Sequence, residues 1–257
     1  MFAAATAVVM LSGCRVDVAT SVTVSDTGSG SVSVVVTADA DAVSMAPELA
    51  SSLNLDDLRD AGWNVSVQNP TPTGGLSVTL THDFATPEDA TTLLARLALP
   101  SGPYRELTLE REGGLTTAVY RFSGTGGLPQ GLAGFADDEA LALLGGPPFA
   151  ESLAANGLAL TDALGVSLQV TLPGAPSAPG TATLTSEGDL ATTFEWNVPV
   201  DGSNVAIAAS TQDRDVSALV VSIAADVLLV LILLLAVAAV AYVVSVVYRR
   251  SRHTPGS

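Results

Sequence analysis

The stretch VDVATSVTVSDTGSGSVSVVV, residues 16–36, decides the fold class. Val16, Val18, Val22 and Val24 alternate with Asp17, Ala19, Ser21, Thr23 and Ser25. That two-residue period belongs to a strand with one face buried and one face solvated. Asp26-Thr27-Gly28-Ser29-Gly30 is turn chemistry, and Val32, Val34 and Val36 then resume the alternation. The segment reads as a β-hairpin.

Working outward, hairpins and helices take turns. Asn54 can N-cap a short helix with Leu55 and Leu58 facing inward, and Gly62 ends it. Trp63, Val65 and Val67 lead through the Pro70–Gly75 loop to Leu76, Val78, Leu80, His82 and Phe84, a second hairpin. Thr86 is the N-cap of the next helix, Pro87 takes its first position, and Glu88 and Asp89 complement its dipole. Ala90, Leu93, Leu94 and Leu97 form its apolar stripe, and Pro100 and Gly102 stop it. Leu107 and Leu109 pair with Leu115–Phe122 through Glu112-Gly113-Gly114 as a third hairpin. The pattern weakens from Gly124 to Gly157, apart from a short helix expected over Asp137–Leu144. Strand signals return at Val166–Leu172, Thr181–Thr185, Ala191–Val198 and Val205–Ala209. The expected class is α+β: antiparallel β-hairpins packed with two or three helices, plus one C-terminal transmembrane helix.

The two ends carry the other strong signals. Phe2–Leu11 is an apolar run too short to span a bilayer, and it fits the core of a secretory signal. It leads into Leu11-Ser12-Gly13-Cys14, which resembles the lipobox of bacterial lipoproteins. In that class the cysteine receives a diacylglycerol and becomes the mature N-terminus, so Cys14 is the expected lipidation site, with Leu11, Ser12 and Gly13 as the lipobox. Signals normally open with Lys or Arg, whereas Met1 is followed by Phe2, so a basic region upstream of Met1 is expected. At the other end, residues 227–248 are 22 positions without a charge. A helix of that length reaches roughly 33 Å, enough to cross the hydrocarbon core. Arg249, Arg250 and Arg252 follow it, and the positive-inside rule places them in the cytoplasm. The expected organisation is a truncated signal (1–13), an extracytoplasmic domain (14–212), a tether (213–226), a span (227–248) and a cytoplasmic tail (249–257).

Charge agrees with that topology. The net charge of −16 comes from 26 carboxylates and ten arginines, with no lysine. All the carboxylates lie between Asp17 and Asp226, and the exterior carries seven arginines, a balance of −19; the other three arginines are in the tail. Such acidity excludes a basic nucleic-acid-binding surface. One cysteine and two histidines exclude a disulfide framework and the common zinc sites.

Several short patterns invite chemistry and decline it. Asp26-Thr27-Gly28 matches an aspartic-protease signature, but that site needs a second carboxylate and no second D-[ST]-G exists. Asp39-Ala40-Asp41 and Asp56-Asp57 lack the spacing of a calcium loop and read as helix starts. Gly124, Gly126 and Gly127 lack the Lys-Ser/Thr of a phosphate loop and read as flexible loop. His82 reads as a core or rim histidine, since no G-x-S-x-G nucleophile is present to use it.

Three local patterns together resemble the LppM family of actinobacterial envelope lipoproteins. One is the lipobox leading into the Val16–Val36 hairpin; another is Ala61-Gly62-Trp63 with His82-Asp83-Phe84 and Thr86-Pro87-Glu88. The third is Leu172-Pro173-Gly174, then Glu195-Trp196 and Ala208-Ala209-Ser210. The resemblance implies a plasma-membrane-anchored surface domain that binds envelope glycolipids such as phosphatidylinositol mannosides without catalysis. It implies no catalytic residue, metal or cofactor, and the partners expected are the bilayer and an envelope glycolipid, with no nucleic acid. A groove between the sheet and the two amphipathic helices would take the acyl chains, with the helix of Thr86 to Leu99 and the region Gly124 to Gly157 as walls or lid, and a headgroup would meet neutral donors or the few arginines, such as Arg105, Arg111 and Arg121. The alternative is an envelope scaffold or protein-interaction module without a small ligand.

Overall fold

The computed structural model describes residues 14–45, 55–98, 102–113, 117–135, 142, 150–155, 157–178, 180–186 and 190–213. The chain divides into two compact units, residues 1–112 with 118–213 and residues 113–117 with 214–257. The second lies almost wholly outside the described residues, as do Leu11, Ser12, Gly13, the span 227–248 and Arg249, Arg250 and Arg252. No helix among the described residues is long and apolar enough to cross a membrane.

The first unit is mixed α+β, mostly sheet with few helices. Strands β1 (Val16–Val24) and β2 (Gly30–Ala38) form the hairpin expected from residues 16–36, in register from Val16↔Ala38 to Val24↔Gly30. Strands β3 (Asn64–Gln68) and β4 (Leu76–Phe84) form the second hairpin, and β4 lies antiparallel to β2. Strands β5 (Tyr104–Gly113) and β6 (Ala118–Gly127) are the third. They belong to a second sheet with β11 (Asn204–Asp213) and β8 (Ala175–Pro176). Strands β7 (Leu164–Pro173), β9 (Thr183–Ser186) and β10 (Ala191–Asn197) complete the first sheet. The seven-stranded order is β3-β4-β2-β1-β7-β10-β9, and the four-stranded order is β5-β6-β11-β8.

One expectation is corrected. The sheet is not wholly antiparallel: β1 and β7 pair in parallel, from Val16↔Leu164 to Thr23↔Thr171. Alternating side chains fix which face of a strand is buried, not the direction of its neighbour. Parallel partners need a long crossover, and here it contains the whole chain from β2 to β7.

The short helices follow their caps. Helix α1 (Ala40–Met45) starts at Asp39, whose Oδ1 accepts from Ala42 N–H at 2.7 Å. Helix α2 (Asp56–Asp60) ends at Gly62, where φ is +91°. There Trp63 N–H donates to Leu58 C=O and Gly62 N–H to Arg59 C=O, both at 3.0 Å, a Schellman stop. Helix α3 (Pro87–Leu97) has Thr86 as its cap, with Asp89 N–H donating to Thr86 Oγ1 at 3.1 Å. Helices α4 (Ala150–Ala155) and α5 (Leu160–Ala163) are brief, and the helix expected over 137–144 lies outside the described residues except Ala142.

The two sheets and α3 share one core. Val22, Val32, Leu168, Val170 and Phe194 from the seven-stranded sheet meet Tyr120, Phe122 and Ile207 from the four-stranded sheet, along with Ala90 and Leu94 of α3. Tyr104 bridges the sheets: its hydroxyl donates to Ser167 C=O at 2.9 Å and accepts from the Thr20 hydroxyl at 3.1 Å. A smaller cluster of Ala38, Ala42, Leu76 and Val78 closes one end.

Gly124, Gly126 and Gly127 are a second correction. They are strand, not flexible loop, paired with Ile207, Val205 and Asn204 of β11. A Cβ at Gly124 would come within 2.6 Å of Leu107 Cδ2 and 3.0 Å of Arg105 C=O. Glycine is required there by close approach, and its missing side chain is why no period was visible. Opposite, β5 absorbs an extra residue at Arg105-Glu106. Glu106 takes φ +54°, and burial shifts from Tyr104 to Leu107 and Leu109.

Candidate functional site

Cys14 lies two residues before β1, half-buried against the Ala38–Leu76 cluster. Burial pushes its thiol pKa up first, and the carboxylates of Asp39 and Asp41 push it further. It therefore stays protonated at neutral pH, the reverse of a catalytic thiolate. The next residue anchors the chain: Arg15 N–H donates to Asp39 Oδ2 at 2.9 Å, and its guanidinium pairs with Asp17 at 2.8 Å. Asp39 thus spends both carboxylate oxygens on backbone N–H groups. Asp56 pairs with Arg59 at 2.8 Å within α2.

The Asp26-Thr27-Gly28 sequence is the hairpin turn. Gly28 N–H donates to Ser25 C=O at 2.9 Å, and the Ser25, Thr27 and Ser29 hydroxyls bond one another. Tyr120 hydroxyl donates to Asp26 C=O and accepts from Arg111 Nε at 3.0 Å, which ties the turn to the four-stranded sheet. His82 is half-buried, its ring edge-on to Trp63 with centroids 5.3 Å apart and its Nδ1 2.7 Å from Asp83 C=O. These contacts give it a packing role. Among the described residues no group of three His, Cys, Asp or Glu is arranged to hold a metal ion.

The three arginines expected near a headgroup are not gathered into a site. Arg105 donates to Gly102 and Gly127 carbonyls and to Asn204 Oδ1. Arg111 lies over the Tyr120 ring, and Arg121 pairs with Glu112 at 2.6 Å. Nor is the groove beside α3 as expected. The stripe of Ala90, Leu93 and Leu94 is consumed by the core, leaving at its rim an open cleft of about 310 Å³. That cleft is lined by His82, Asp83, Asp89, Thr92 and Arg96 among others.

An open groove instead forms where the sequence offered only a Pro/Gly-rich loop. It measures about 440 Å³ and is lined by Pro176, Ser177, Ala178, Gly180, Ala182, Leu184 and Phe194. Thr181, between the lining residues Gly180 and Ala182, ties this segment down: its hydroxyl donates to Ala206 C=O at 2.6 Å and accepts from Trp196 Nε1 at 3.0 Å. Ser177 N–H to Ser210 C=O at 2.9 Å holds the other side. Small side chains and one exposed leucine leave an open groove of mixed polar and apolar lining, in the size range of small-ligand sites. Sequence reasoning missed it; the signal that could have found it is the run of small residues between Pro173 and Ala182 with a single threonine to pin it.

The outer face of the seven-stranded sheet is the other distinctive surface. One row across it runs Asn64, Thr81, Ser33, Ser21, Gln169 and Glu195. The next runs Ser66, Thr79, Val35, Ala19, Ser167 and Asn197. Hydroxyls and amides dominate. The same face also carries Asp17, Asp83 and Glu195, and β5 on the four-stranded sheet exposes Glu106, Glu110 and Glu112.

No protein-family model matches this chain, and no curated protein matches it. Among solved structures the chain is similar to the folded domain of LppM from Mycobacterium tuberculosis, determined by NMR. The likeness covers 80% of this chain and 94% of that one at 14% identity, with a TM-score of 0.43, a distant structural relationship.

Proposed function

We propose that this chain is a membrane-anchored envelope lipoprotein whose outer domain binds the acyl portion of a lipid or glycolipid without catalysis. The observation that carries the binding step is the groove beside Phe194, open to solvent and lined by apolar side chains together with polar groups in near-equal measure. Anchoring is supported by the chain's single cysteine, placed after an apolar run and two residues ahead of β1. A diacylated Cys14 and the span 227–248 would together give two membrane signals, which stable attachment requires. The arginines' internal bonds argue for recognition of chains and neutral hydroxyls over anionic groups.

Lipid extraction from the full chain purified from membranes, followed by mass spectrometry, tests both parts. A diacylglyceryl adduct on the Cys14 peptide, lost in Cys14→Ala, is expected. A co-purifying acyl lipid that falls away in Ala182→Trp, which fills the slot, is also expected. A lipid-free domain with an intact slot would sink the binding reading.

A second reading, a protein-interaction module, is favoured by one observation. The exposed large apolar side chains Val67 (42% exposed) and Leu184 (47%) stand on β3 and β9, the two edges of the seven-stranded sheet.

A further inference from the structure

Two sheets have four edges, and the fold closes two of them. At the β5 edge, Thr91 of α3 takes the backbone of Leu109: its hydroxyl accepts from Leu109 N–H at 3.0 Å and donates to Leu109 C=O at 3.3 Å. At the other side of that sheet, β8 covers β11, pairing Pro176 with Thr211 and Ala175 with Gln212. The seven-stranded sheet ends on β3 and β9. Strand β9 has four residues, changes register against β10, and spends its Thr185 hydroxyl on Glu195. Strand β3 runs in unbroken register from Asn64↔Thr81 to Gln68↔Ser77, and four of its five residues are exposed. An open edge offers backbone donors and acceptors to another strand, and folds blunt it with charge, proline or a bulge. Asn64-Val65-Ser66-Val67-Gln68 has none of these.

Charge leaves this edge alone. The chain carries −16, yet β3 and the stretches of β4 and β2 behind it, residues 77–81 and 33–37, hold no charged side chain. Two acidic copies repel one another over most of their surfaces and meet least repulsion here. The strand also matches itself. With Ser66 opposite Ser66 of a second copy in an antiparallel pair, Val65 meets Val67, Val67 meets Val65, and Asn64 meets Gln68. Valines then share the inner face with exposed Val67 covered, and amides share the outer face. Such self-complementarity is what a two-fold interface requires.

The antiparallel direction also keeps the nearest carboxylates apart. Helix α2, with Asp56, Asp57 and Asp60, leads into β3 at its Asn64 end. Four residue steps set the two Asn64 ends roughly 14 Å apart along the joined strands, beyond the ~8–10 Å screening length. A five-residue strand pair is small against the ~1,200–2,000 Å² that stable complexes bury, so the pairing depends on concentration. We infer that β3 is a homotypic docking edge: two copies of this chain join antiparallel through Asn64–Gln68, about a two-fold axis at Ser66, into one continuous sheet. This goes beyond the lipid reading and uses neither the groove nor Cys14.

Crosslinking of the full chain in detergent micelles tests the register. The parent chain, whose only thiol is Cys14, is the control. Directly opposed Cβ atoms lie ~4.5–5.5 Å apart, within reach of a short bis-maleimide. Ser66→Cys is expected to give a crosslinked dimer that the parent does not. Asn64→Cys is expected to crosslink to Gln68→Cys when the two are mixed, and several-fold less to itself. Charge supplies the second arm, since like charges directly opposite repel and unlike charges pair. Ser66→Lys alone and Ser66→Asp alone should raise the concentration needed for dimers several-fold in sedimentation, and an equimolar mixture should restore it. Ser66 is exposed, and recovery in the mixture excludes misfolding as the cause. A chain that is monomeric at every concentration overturns the inference. So does a dimer indifferent to charge at Ser66, which would put the contact outside β3. Crosslinking of Leu184→Cys to itself or to Ser66→Cys overturns it too, because β9 would then be the docking edge.

Discussion

On the outer face of the seven-stranded sheet, Ser33 stands between Ser21 and Thr81 among short side chains, with Asp17, Asp83 and Glu195 on the same face. On the outer face of the four-stranded sheet, Glu110 and Glu112 stand on β5, and Arg121 reaches across to Glu112. The sharper difference is on the inner faces. The large sheet alternates without interruption along β7, with Val166, Leu168, Val170 and Leu172 all buried. The small sheet shifts its parity at Glu106 and relies on Gly124 to let β5 and β6 close. Both outer faces carry acidic side chains, so the contrast lies in the backbone: β7 alternates without a break, whereas β5 changes parity. The difference teaches that one core can be closed both by a strictly alternating strand and by one that changes parity and depends on a glycine opposite it.

Substitutions test that contrast, from the largest effect to the smallest. Leu168 is fully buried where the sheets meet, so Leu168→Ala should cost ~2–5 kcal/mol in urea unfolding. A single transition reported by probes on both sheets is expected; two separate transitions would show that they do not share a core. Tyr104 supplies the alkaline limit. Burial raises its pKa to about 12, while the Thr20 hydrogen bond opposes the shift. Unfolded tyrosine loses its proton near pH 10 and the folded one keeps it, so stability is intact below pH 10 and falls by roughly 3 kcal/mol as pH rises through 12. Tyr104→Phe should remove that slope, and an unchanged slope would assign it elsewhere.

Gly124→Ala should cost ~1–3 kcal/mol because the new methyl meets Leu107 and two carbonyls, whereas Ser33→Ala on the regular sheet should stay within ~0.5 kcal/mol. Equal costs measured by thermal melting would erase the distinction. The smallest effect is expected from Arg121→Ala. Its ion pair with Glu112 is solvent-exposed, so the melting temperature should not move measurably, least of all in high salt.

Local chemistry was legible in the sequence where one residue type has one physical job. Thr86 with Pro87 marked the start of α3, Gly62 stopped α2, and valines two apart drew β1 and β2. Long-range choices were not. Nothing in Val166–Leu172 says that its neighbour is β1 or that the pair runs parallel. The end of β11 was hidden because Ser210, Thr211 and Gln212 are polar and carry no strand alternation beyond Ala209, yet Thr211 is fully buried. The slot beside Phe194 arises from what the loop lacks, bulk between Pro176 and Ala182, and absent volume leaves no periodic trace. Cys14 was visible as a chemical signal, but its packing against the Ala38–Leu76 cluster depends on strands that pair far along the chain.

The parallel pairing of β1 with β7 also sets a timetable. A chain emerging N-terminus first can close β1 onto β2 at once, since the turn between them is only Ser25–Ser29. The other edge of β1 must wait for Leu164–Pro173, about 140 residues behind Val24. Until then a valine-rich strand shows open N–H and C=O groups on one side, a template for wrong partners. Docking of β7 is therefore the late, slow event in folding, and the half made of β1, β2, β3 and β4 is the part that must survive unfinished.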